Sequence, residues 1–178
     1  LMLHMNGADT STTFTDDGAT GHTVTAVGNA QIDTAQSKFG GASGLFDGAG
    51  DYLTIPDHAD WNVGGGNWTF DAWVRPYSLS GDDYIMTHGS DGENYMALII
   101  SGGTSIKLNV FSGNALIVSV TTTFTFSIGT WYHVAVIRGW SGNANDWVVT
   151  VDGTAGTVTT DADAVPNYTS LFAIGALY

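Results

Sequence analysis

The sequence predicts an all-β protein folded as an antiparallel β-sandwich, and three observations carry that prediction. Short segments in which apolar and polar residues alternate recur along the chain, as half-buried strands do. Aspartate–glycine pairs, which favour tight turns, separate several of them. Helix-forming residues are scarce, because the chain has 24 glycines and Glu93 is its only glutamate. We expect positions 1–178 to form a single domain, since 178 residues suffice for one sandwich core.

The alternation defines candidate strands along the chain, and a polar loop over Asn6–Gly21 separates the first of them from the rest. The predicted strands are Leu1–Met5, His22–Val27, Gly44–Phe46, Tyr52–Ile55, Trp68–Pro76, Tyr84–His88, Tyr95–Ser101, Ser105–Phe111, Ala115–Thr122, Trp131–Arg138, Trp147–Val151, Gly156–Thr159 and Leu171–Gly175. Turns with positive φ are expected at four aspartate–glycine pairs, Asp17-Gly18, Asp47-Gly48, Asp91-Gly92 and Asp152-Gly153. The last pair is the clearest hairpin signal.

Two of these segments predict where the core lies. In Trp68–Pro76, alternation puts an apolar set on one face and a mixed set on the other, which we expect to be a binding face. The apolar set is Trp68, Phe70, Ala72 and Val74, and the mixed set is Thr69, Asp71, Trp73 and Arg75. Trp131–Arg138 is apolar on both faces, so it predicts a central strand with His133 as a hydrogen-bonded core residue.

The charge balance limits the partners. A formal net charge of −13 with only four basic residues disfavours nucleic acid and anionic membrane surfaces. No apolar run is long enough to insert into a membrane. Sixteen of the seventeen acidic residues are aspartates, which are common in turns and in calcium loops. Neutral sugars, divalent cations and basic protein surfaces therefore remain as ligands.

Several ordered blocks carry a family resemblance. They are Phe39-Gly40-Gly41, Leu45-Phe46-Asp47-Gly48, Asp51-Tyr52-Leu53-Thr54-Ile55-Pro56, Trp68-Thr69-Phe70-Asp71-Ala72-Trp73-Val74-Arg75-Pro76, Gly129-Thr130-Trp131-Tyr132-His133-Val134-Ala135-Val136, Val151-Asp152-Gly153 and Ile174-Gly175-Ala176. Together they resemble the laminin G-like branch of the concanavalin A-like lectin/glucanase superfamily. The resemblance implies a jelly-roll sandwich, carbohydrate binding, and a calcium ion at the sandwich rim. Three further segments are Leu3-His4-Met5-Asn6-Gly7, Thr13-Phe14-Thr15-Asp16 and Gly21-His22-Thr23-Val24. They are similar to domains of phage structural proteins and bacterial surface proteins, which implies an extracellular or virion-surface location.

One departure from the family pattern concerns the end of the chain. Relatives of this branch continue past the Ile-Gly-Ala block into a final strand, whereas this sequence stops at Tyr178. We therefore expect a sandwich that lacks its last strand. Either this piece of the protein omits that strand, or a partner chain or a second copy supplies it at an open sheet edge.

Catalysis has little support in the sequence. Glycoside hydrolysis generally uses two carboxylates, and the paired glutamates of the glucanase relatives are absent, because Glu93 is alone. Asp71 is the best single catalytic candidate, although an ion pair near Arg75 is the simpler interpretation. The histidines lack the close sequence spacing of zinc sites. We therefore predict a protein that is not an enzyme.

The candidate site residues fall into two groups. For calcium, aspartates of the N-terminal loop and of the turn after residue 46 supply oxygen ligands, namely Asp9, Asp16, Asp47 and Asp51, with Asx-turns as the alternative interpretation. For a sugar, aromatic faces and neighbouring polar groups are needed. The candidates are Trp140, Asn143, Tyr95, Trp73, Asp71 and Arg75, of which Trp140 in a glycine-rich loop ranks first.

Three functions remain open at this stage. The first is a non-catalytic carbohydrate-binding or receptor-binding module of a phage structural or bacterial extracellular protein. The second is a structural or assembly domain completed by a strand from a partner chain. The third is a glycoside hydrolase.

Overall fold

The computed structural model describes residues 1–177, apart from the side chains at 90 and 91, and it forms fourteen strands over that range. The strands are β1 (Thr25–Val27), β2 (Gln31–Asp33), β3 (Ser43–Leu45), β4 (Tyr52–Ile55), β5 (Trp68–Val74), β6 (Asp82–Asp91), β7 (Asn94–Ser101), β8 (Ser105–Ser112), β9 (Ala115–Thr123), β10 (Tyr132–Arg138), β11 (Asp146–Val151), β12 (Thr154–Ala155), β13 (Thr159–Thr160) and β14 (Phe172–Ile174). Two 3-10 turns lie at Ala59–Trp61 and Trp140–Gly142.

The strands form two main antiparallel sheets and one hairpin. The larger sheet has seven strands in the order β1-β4-β14-β6-β7-β8-β9. The smaller sheet runs β12-β11-β10-β5, with β13 also paired to β11, and β2 pairs with β3 separately. The predicted all-β, antiparallel sandwich is confirmed.

The main core lies between the two sheets. Alternate residues of β7 and β8 in the large sheet, such as Leu98 and Leu108, are fully buried with Val134, Val136 and Trp147 of the small sheet. Removal of this apolar surface from water is the main favourable term in folding. Because the side-chain period of a strand is two, β5 adds only its Trp68, Phe70, Ala72 and Val74 face to this core, as predicted.

A second, smaller cluster holds the N-terminal region on the sandwich. It is centred on Ile32 and Leu53, both fully buried. Val24 and Ile174 contact both this cluster and the main core. The β2–β3 hairpin therefore packs on the same body as the sheets.

The predicted N-terminal strand Leu1–Met5 is wrong, because the segment makes only an isolated bridge between Leu3 and Asp16. The Asp16 carboxylate instead fixes this region through three backbone N–H groups and one imidazole nitrogen. Its donors are the N–H groups of Met2 (2.7 Å), Gly18 (2.8 Å) and His22 (2.7 Å) and the ring of His22 (Nδ1, 2.7 Å). Burial raises the pKa of Asp16, but these hydrogen bonds lower it by more, so the pKa lies well below its usual range.

Other differences from the sequence prediction are local. Strand β1 begins at Thr25 and not at His22, and β2 was not predicted. The predicted strand Gly156–Thr159 is wrong except at Thr159, because Gly156–Val158 lies between β12 and β13. The Asp152-Gly153 hairpin has both residues at positive φ, 48° and 76°, as a type I′ turn requires. Gly48 also has a positive φ, 81°, whereas the prediction is wrong for Gly18 and Gly92, whose φ values are not positive.

Substitution of Asp16 tests the role of its carboxylate in the fold. Asp16→Asn removes the negative charge that accepts three backbone N–H groups in a buried place, so we expect unfolding free energy to fall by roughly 2 kcal/mol. Urea denaturation followed by tryptophan fluorescence measures this. Asp17→Asn is the matched control, because the Asp17 carboxylate is exposed and contacts only the exposed His4 ring among the hydrogen bonds described. Equal losses in the two variants would contradict the assignment.

Candidate ligand-binding cleft

A cleft with a volume of about 990 Å³ follows β5 at the edge of the small sheet. Within residues 1–177, β5 pairs with β10 on one side and with no strand on the other. Both faces of β5 line the cleft, so it includes inner side chains such as Phe70 and outer ones such as Trp73. Lys38 and Phe39, in the loop between β2 and β3, also line the cleft.

An aromatic cluster lies on the outer face of β5. Trp73 is 37% exposed and Phe39 is 66% exposed, and their rings meet edge to face with centroids 5.6 Å apart. The Lys38 ammonium lies 4.1 Å from the Trp73 ring centroid, a cation–π contact. The His133 ring of β10 lies beside the Trp73 indole, with centroids 5.3 Å apart. Tyr77, just after β5, is 80% exposed.

Polar groups surround these rings. The Asp71 carboxylate lies 3.0 Å from Nε2 of His133. Among the described residues, Asp71 pairs with His133 and not with the expected Arg75, which lies four residues further along the strand, roughly 13 Å away. The Arg75 guanidinium packs instead near the Gly129 turn, 3.2 Å from where a Cβ of residue 129 would lie. The prediction that His133 is a core residue is also wrong, because its side chain is 33% exposed.

A carboxylate that sequence reasoning missed lines the cleft from β6. Oδ2 of Asp83 is buried and has no hydrogen-bond partner among the described residues. Burial raises the pKa of the Asp83 carboxyl above its usual range, and the charge of Asp82 adds to the rise. A buried polar atom of this kind, facing a cleft, is a candidate contact for a ligand hydroxyl.

The structure does not bring all the predicted sugar-binding residues together. Trp73, Asp71 and Arg75 line the cleft. Trp140 and Asn143 follow the opposite end of β10, since His133 pairs with Trp73 and the strand continues for five more residues, roughly 17 Å. The Tyr95 ring stacks on Phe111 of the large sheet, with centroids 4.7 Å apart and an interplanar angle of 19°.

The four aspartates predicted to bind metal accept hydrogen bonds from the protein. Asp51 accepts the backbone N–H groups of Asn29 and Asp47, at 2.7 and 3.0 Å. Asp47 accepts from Ala49 and from the Asn29 side chain, and Asp9 accepts from Thr34. Asp16 accepts the backbone N–H groups of Met2, Gly18 and His22. Among residues 1–177, these four are not part of any group of three metal-ligating side chains with mutually close donor atoms.

The floor of the cleft contains a buried histidine. His88 is 1% exposed, and its ring packs edge to face on Tyr168 with centroids 5.4 Å apart. No hydrogen-bond partner for Nε2 is found in the described part of the chain. Burial lowers the pKa of His88, against the opposing effects of the Asp57 charge and of hydrogen bonds with the backbone at Ser170 and Tyr168.

The described geometry defines a class of protein: an antiparallel two-sheet sandwich with an aromatic cleft at an edge strand. A family model described as the concanavalin A-like lectin/glucanases superfamily, in its laminin G form, matches residues 47–178. The chain belongs to this superfamily, which confirms the resemblance found in the sequence. No curated protein sequence matches the chain.

Solved structures share the fold at low sequence identity. Domain 4 of AbnA, an extracellular arabinanase from Geobacillus stearothermophilus in complex with arabinotriose, has a TM-score of 0.67 and 16% identity, over 89% of this chain and 74% of that one. The CBM40 of a Ruminococcus gnavus sialidase, bound to α2,3-sialyllactose, has a TM-score of 0.53 and 9% identity, over 62% and 64%. The binding domain of botulinum neurotoxin serotype D has a TM-score of 0.66 and 14% identity, over 92% and 40%.

These likenesses concern the fold. The present chain spans between two fifths and two thirds of the length of several of these structures, for example 40% of the neurotoxin domain and 64% of the sialidase module. None of the helices in the described part of the chain has the length and hydropathy of a membrane span.

The buried His88 predicts a pH dependence of stability. Because its folded pKa lies below the ordinary value of 6.5, the unfolded chain takes up a proton more readily. Its contribution to stability is therefore complete above about pH 6.5 and is lost as the pH falls from there through the folded pKa. We expect the free energy of unfolding, measured by urea denaturation, to fall between pH 7.5 and pH 5.5. The fall should be smaller in His88→Phe than in the unmodified protein, because phenylalanine takes up no proton. Equal losses would contradict the assignment.

Proposed function

We propose that the chain is a non-catalytic glycan-binding module and that the cleft along β5 is its binding site. The observation that carries the proposal is the exposed Trp73–Phe39 ring pair beside polar side chains, with exposed Tyr77 also lining the cleft. Exposed aromatic side chains do not contribute the stabilisation that burial in the core would give. A patch of them on the surface therefore favours a role in binding. Sugar rings present C–H surfaces that stack on such rings.

Hydrogen-bonding groups complete the requirements of a sugar site. Lys38 and Arg75 supply donors, and Asp71 and Asp83 supply carboxylate oxygens around the same cleft. A neutral glycan avoids repulsion by the protein's net charge of −13. The mixed lining therefore fits a polyhydroxylated ligand better than an apolar or a polyanionic one.

The comparisons support carbohydrate as the ligand class only through the fold. Domain 4 of the arabinanase and the sialidase CBM40 were solved with arabinotriose and sialyllactose. At 16% and 9% identity, the shared fold does not indicate that this chain binds either sugar.

The non-catalytic part of the proposal has its own support. Glu93 lies in the turn between β6 and β7, and it is not among the cleft-lining residues. Asp71 contacts His133 and its side chain is 59% exposed, whereas the general acid of a glycoside hydrolase generally lies in an apolar pocket. A glycoside hydrolase would need two carboxylates of the cleft, such as Asp71 and Asp83, to act as a pair. Turnover of a polysaccharide that vanished in Asp71→Asn would establish that alternative.

Location and calcium are further parts of the proposal. We place the module outside the cell, on a bacterial surface protein or a virion, where glycans of a host or cell wall are its receptors. Calcium at the aspartate-rich turns stays a prediction, because the Asp47 and Asp51 carboxylates serve the loop as hydrogen-bond acceptors. The binding screen therefore includes samples with calcium and with a chelator.

A second candidate function rests on the open edge of β5. Trp68, Phe70 and Val74 of its inner face are only partly buried and line the cleft. A strand added to this edge by a partner chain would pair with β5 and cover these side chains. In that case the chain is an assembly domain.

A glycan-array screen followed by calorimetry tests the primary function. We expect binding to at least one glycan, and we expect Trp73→Ala to weaken it about tenfold or more through loss of ring stacking. Trp140→Ala is the matched control, since Trp140 lies beyond the other end of β10 and leaves the cleft intact. Retention of affinity in Trp73→Ala, with loss in Trp140→Ala, would move the site to the β10–β11 loop.

Failure to bind any glycan, with calcium and without, would contradict the primary function. Light scattering over a range of protein concentrations then distinguishes the second one. Association that grows with concentration would favour assembly through the β5 edge, whereas a monomer at every concentration would argue against self-association there.

A further inference from the structure

We propose that His22, His58 and Asp60 form a site for one divalent transition-metal ion of the zinc class. This inference goes beyond glycan binding and does not depend on it. The three side chains come from the segment before β1 and from the 3-10 turn after β4. One donor atom from each lies within 4.8 Å of the other two, and the group is the one such triad within the described residues.

The distances match the spacing of ligands around a small metal ion. Nε2 of His22 lies 3.2 Å from Oδ2 of Asp60, and Nδ1 of His58 lies 3.2 Å from Oδ1 of the same carboxylate. Zinc–ligand bonds of about 2.1 Å in a tetrahedron place neighbouring ligand atoms about 3.4 Å apart. A central ion is therefore accommodated by shifts of a few tenths of an ångström at the Asp60 and His22 atoms.

The hydrogen bonds of His22 determine which ring nitrogen faces the site. Nδ1 lies 2.7 Å from the buried Asp16 carboxylate and donates its hydrogen there. The Nε2 atom of the neutral ring then carries a lone pair, and it faces the Asp60 carboxylate without a hydrogen bond. The His22 side chain is only 5% exposed. The Nε2 lone pair and the Asp60 carboxylate are both hydrogen-bond acceptors, so they repel each other at this distance. A cation bound between them replaces that repulsion with two favourable contacts.

The contact between Asp16 and His22 is the arrangement found around metal-binding histidines. Such a histidine commonly donates its second ring N–H to a carboxylate, which fixes the tautomer and raises the basicity of the ligand. Here Asp16 also accepts backbone N–H groups, so its position is set by the fold before any ion binds. The His22 ring is held further by Trp61, with centroids 4.7 Å apart.

The other two ligands are placed by their own contacts. The Thr20 hydroxyl donates to Oδ2 of Asp60 at 2.7 Å, which holds this carboxylate beside His22. Nδ1 of His58 accepts the backbone N–H of Asp60 at 3.2 Å, a long hydrogen bond at an exposed side chain. Coordination requires His58 to give up that bond and rotate its ring, so His22 and Asp60 form the fixed part of the site.

The donor set selects the class of ion. Two imidazole nitrogens and one carboxylate suit zinc, with water as a fourth ligand. Calcium prefers six to eight oxygen ligands, which this group does not provide. The site therefore differs in chemistry from the calcium predicted for the aspartate-rich turns.

Calorimetric titration of chelator-treated protein without a histidine tag tests the site, with Zn²⁺ and Ca²⁺ as separate probes. We expect one Zn²⁺ per chain and no matching Ca²⁺ binding. Asp60→Asn keeps an acceptor for Thr20 at an exposed position, and we expect it to weaken Zn²⁺ binding by at least about tenfold; His22→Gln should weaken it likewise. His4→Gln is the control, because His4 forms an exposed pair with Asp17 and leaves the triad unchanged.

Folding of each variant is checked by circular dichroism, and Co²⁺ replaces Zn²⁺ to report geometry through its visible spectrum. A tetrahedral Co²⁺ spectrum that is lost in Asp60→Asn supports the site. The proposal is overturned by the absence of Zn²⁺ binding, by equal Zn²⁺ affinity in folded Asp60→Asn and unmodified protein, or by an equal loss in His4→Gln.

Discussion

The pairing of β5 with β10 is the constraint on which the cleft depends. Seven residues of β5 are in register with β10, from Trp68 opposite Arg138 to Val74 opposite Tyr132. Because successive side chains of a strand point to opposite faces, this register fixes the inner set in the core and the outer set, including Asp71 and Trp73, on the surface. A slip of one residue would exchange the two sets. The same pairing leaves the other edge of β5 facing the cleft within the described chain.

The N-terminal region turns this strand face into a cleft. The β2–β3 hairpin is anchored by fully buried Ile32, and its connecting loop brings Lys38 and Phe39 against Trp73. Asp16 ties the first residues to the same region through backbone hydrogen bonds. Buried contacts of this region thus support both the aromatic wall of the cleft and the orientation of His22. Hydrophobic packing holds the hairpin, whereas a buried carboxylate holds the segment before it.

The sequence predicts what depends on local pattern and misses what depends on contacts between distant segments. Alternation predicted which side chains lie on each face of β5, and the Asp152-Gly153 pair predicted the hairpin between β11 and β12. Both features follow from neighbouring residues. The first strand was overpredicted, since hydrogen bonds to Asp16 replace ladder pairing there. Phe39 meets Trp73 across 34 positions, and His22 meets His58 across 36, so no spacing rule finds them. Asp83 gave no signal because its burial depends on the packing of β6 around the cleft.

A glycan bound in the cleft is expected to contact the outer face of β5. Nuclear magnetic resonance of ¹⁵N-labelled protein tests it directly, because the chain has six tryptophans whose indole N–H signals report separate places in the structure. Titration with a glycan identified by the array should shift the Trp73 indole signal first and most. It should leave the Trp140 and Trp147 signals nearly unchanged. A shift confined to Trp140, with Trp73 unmoved at saturation, would contradict the account.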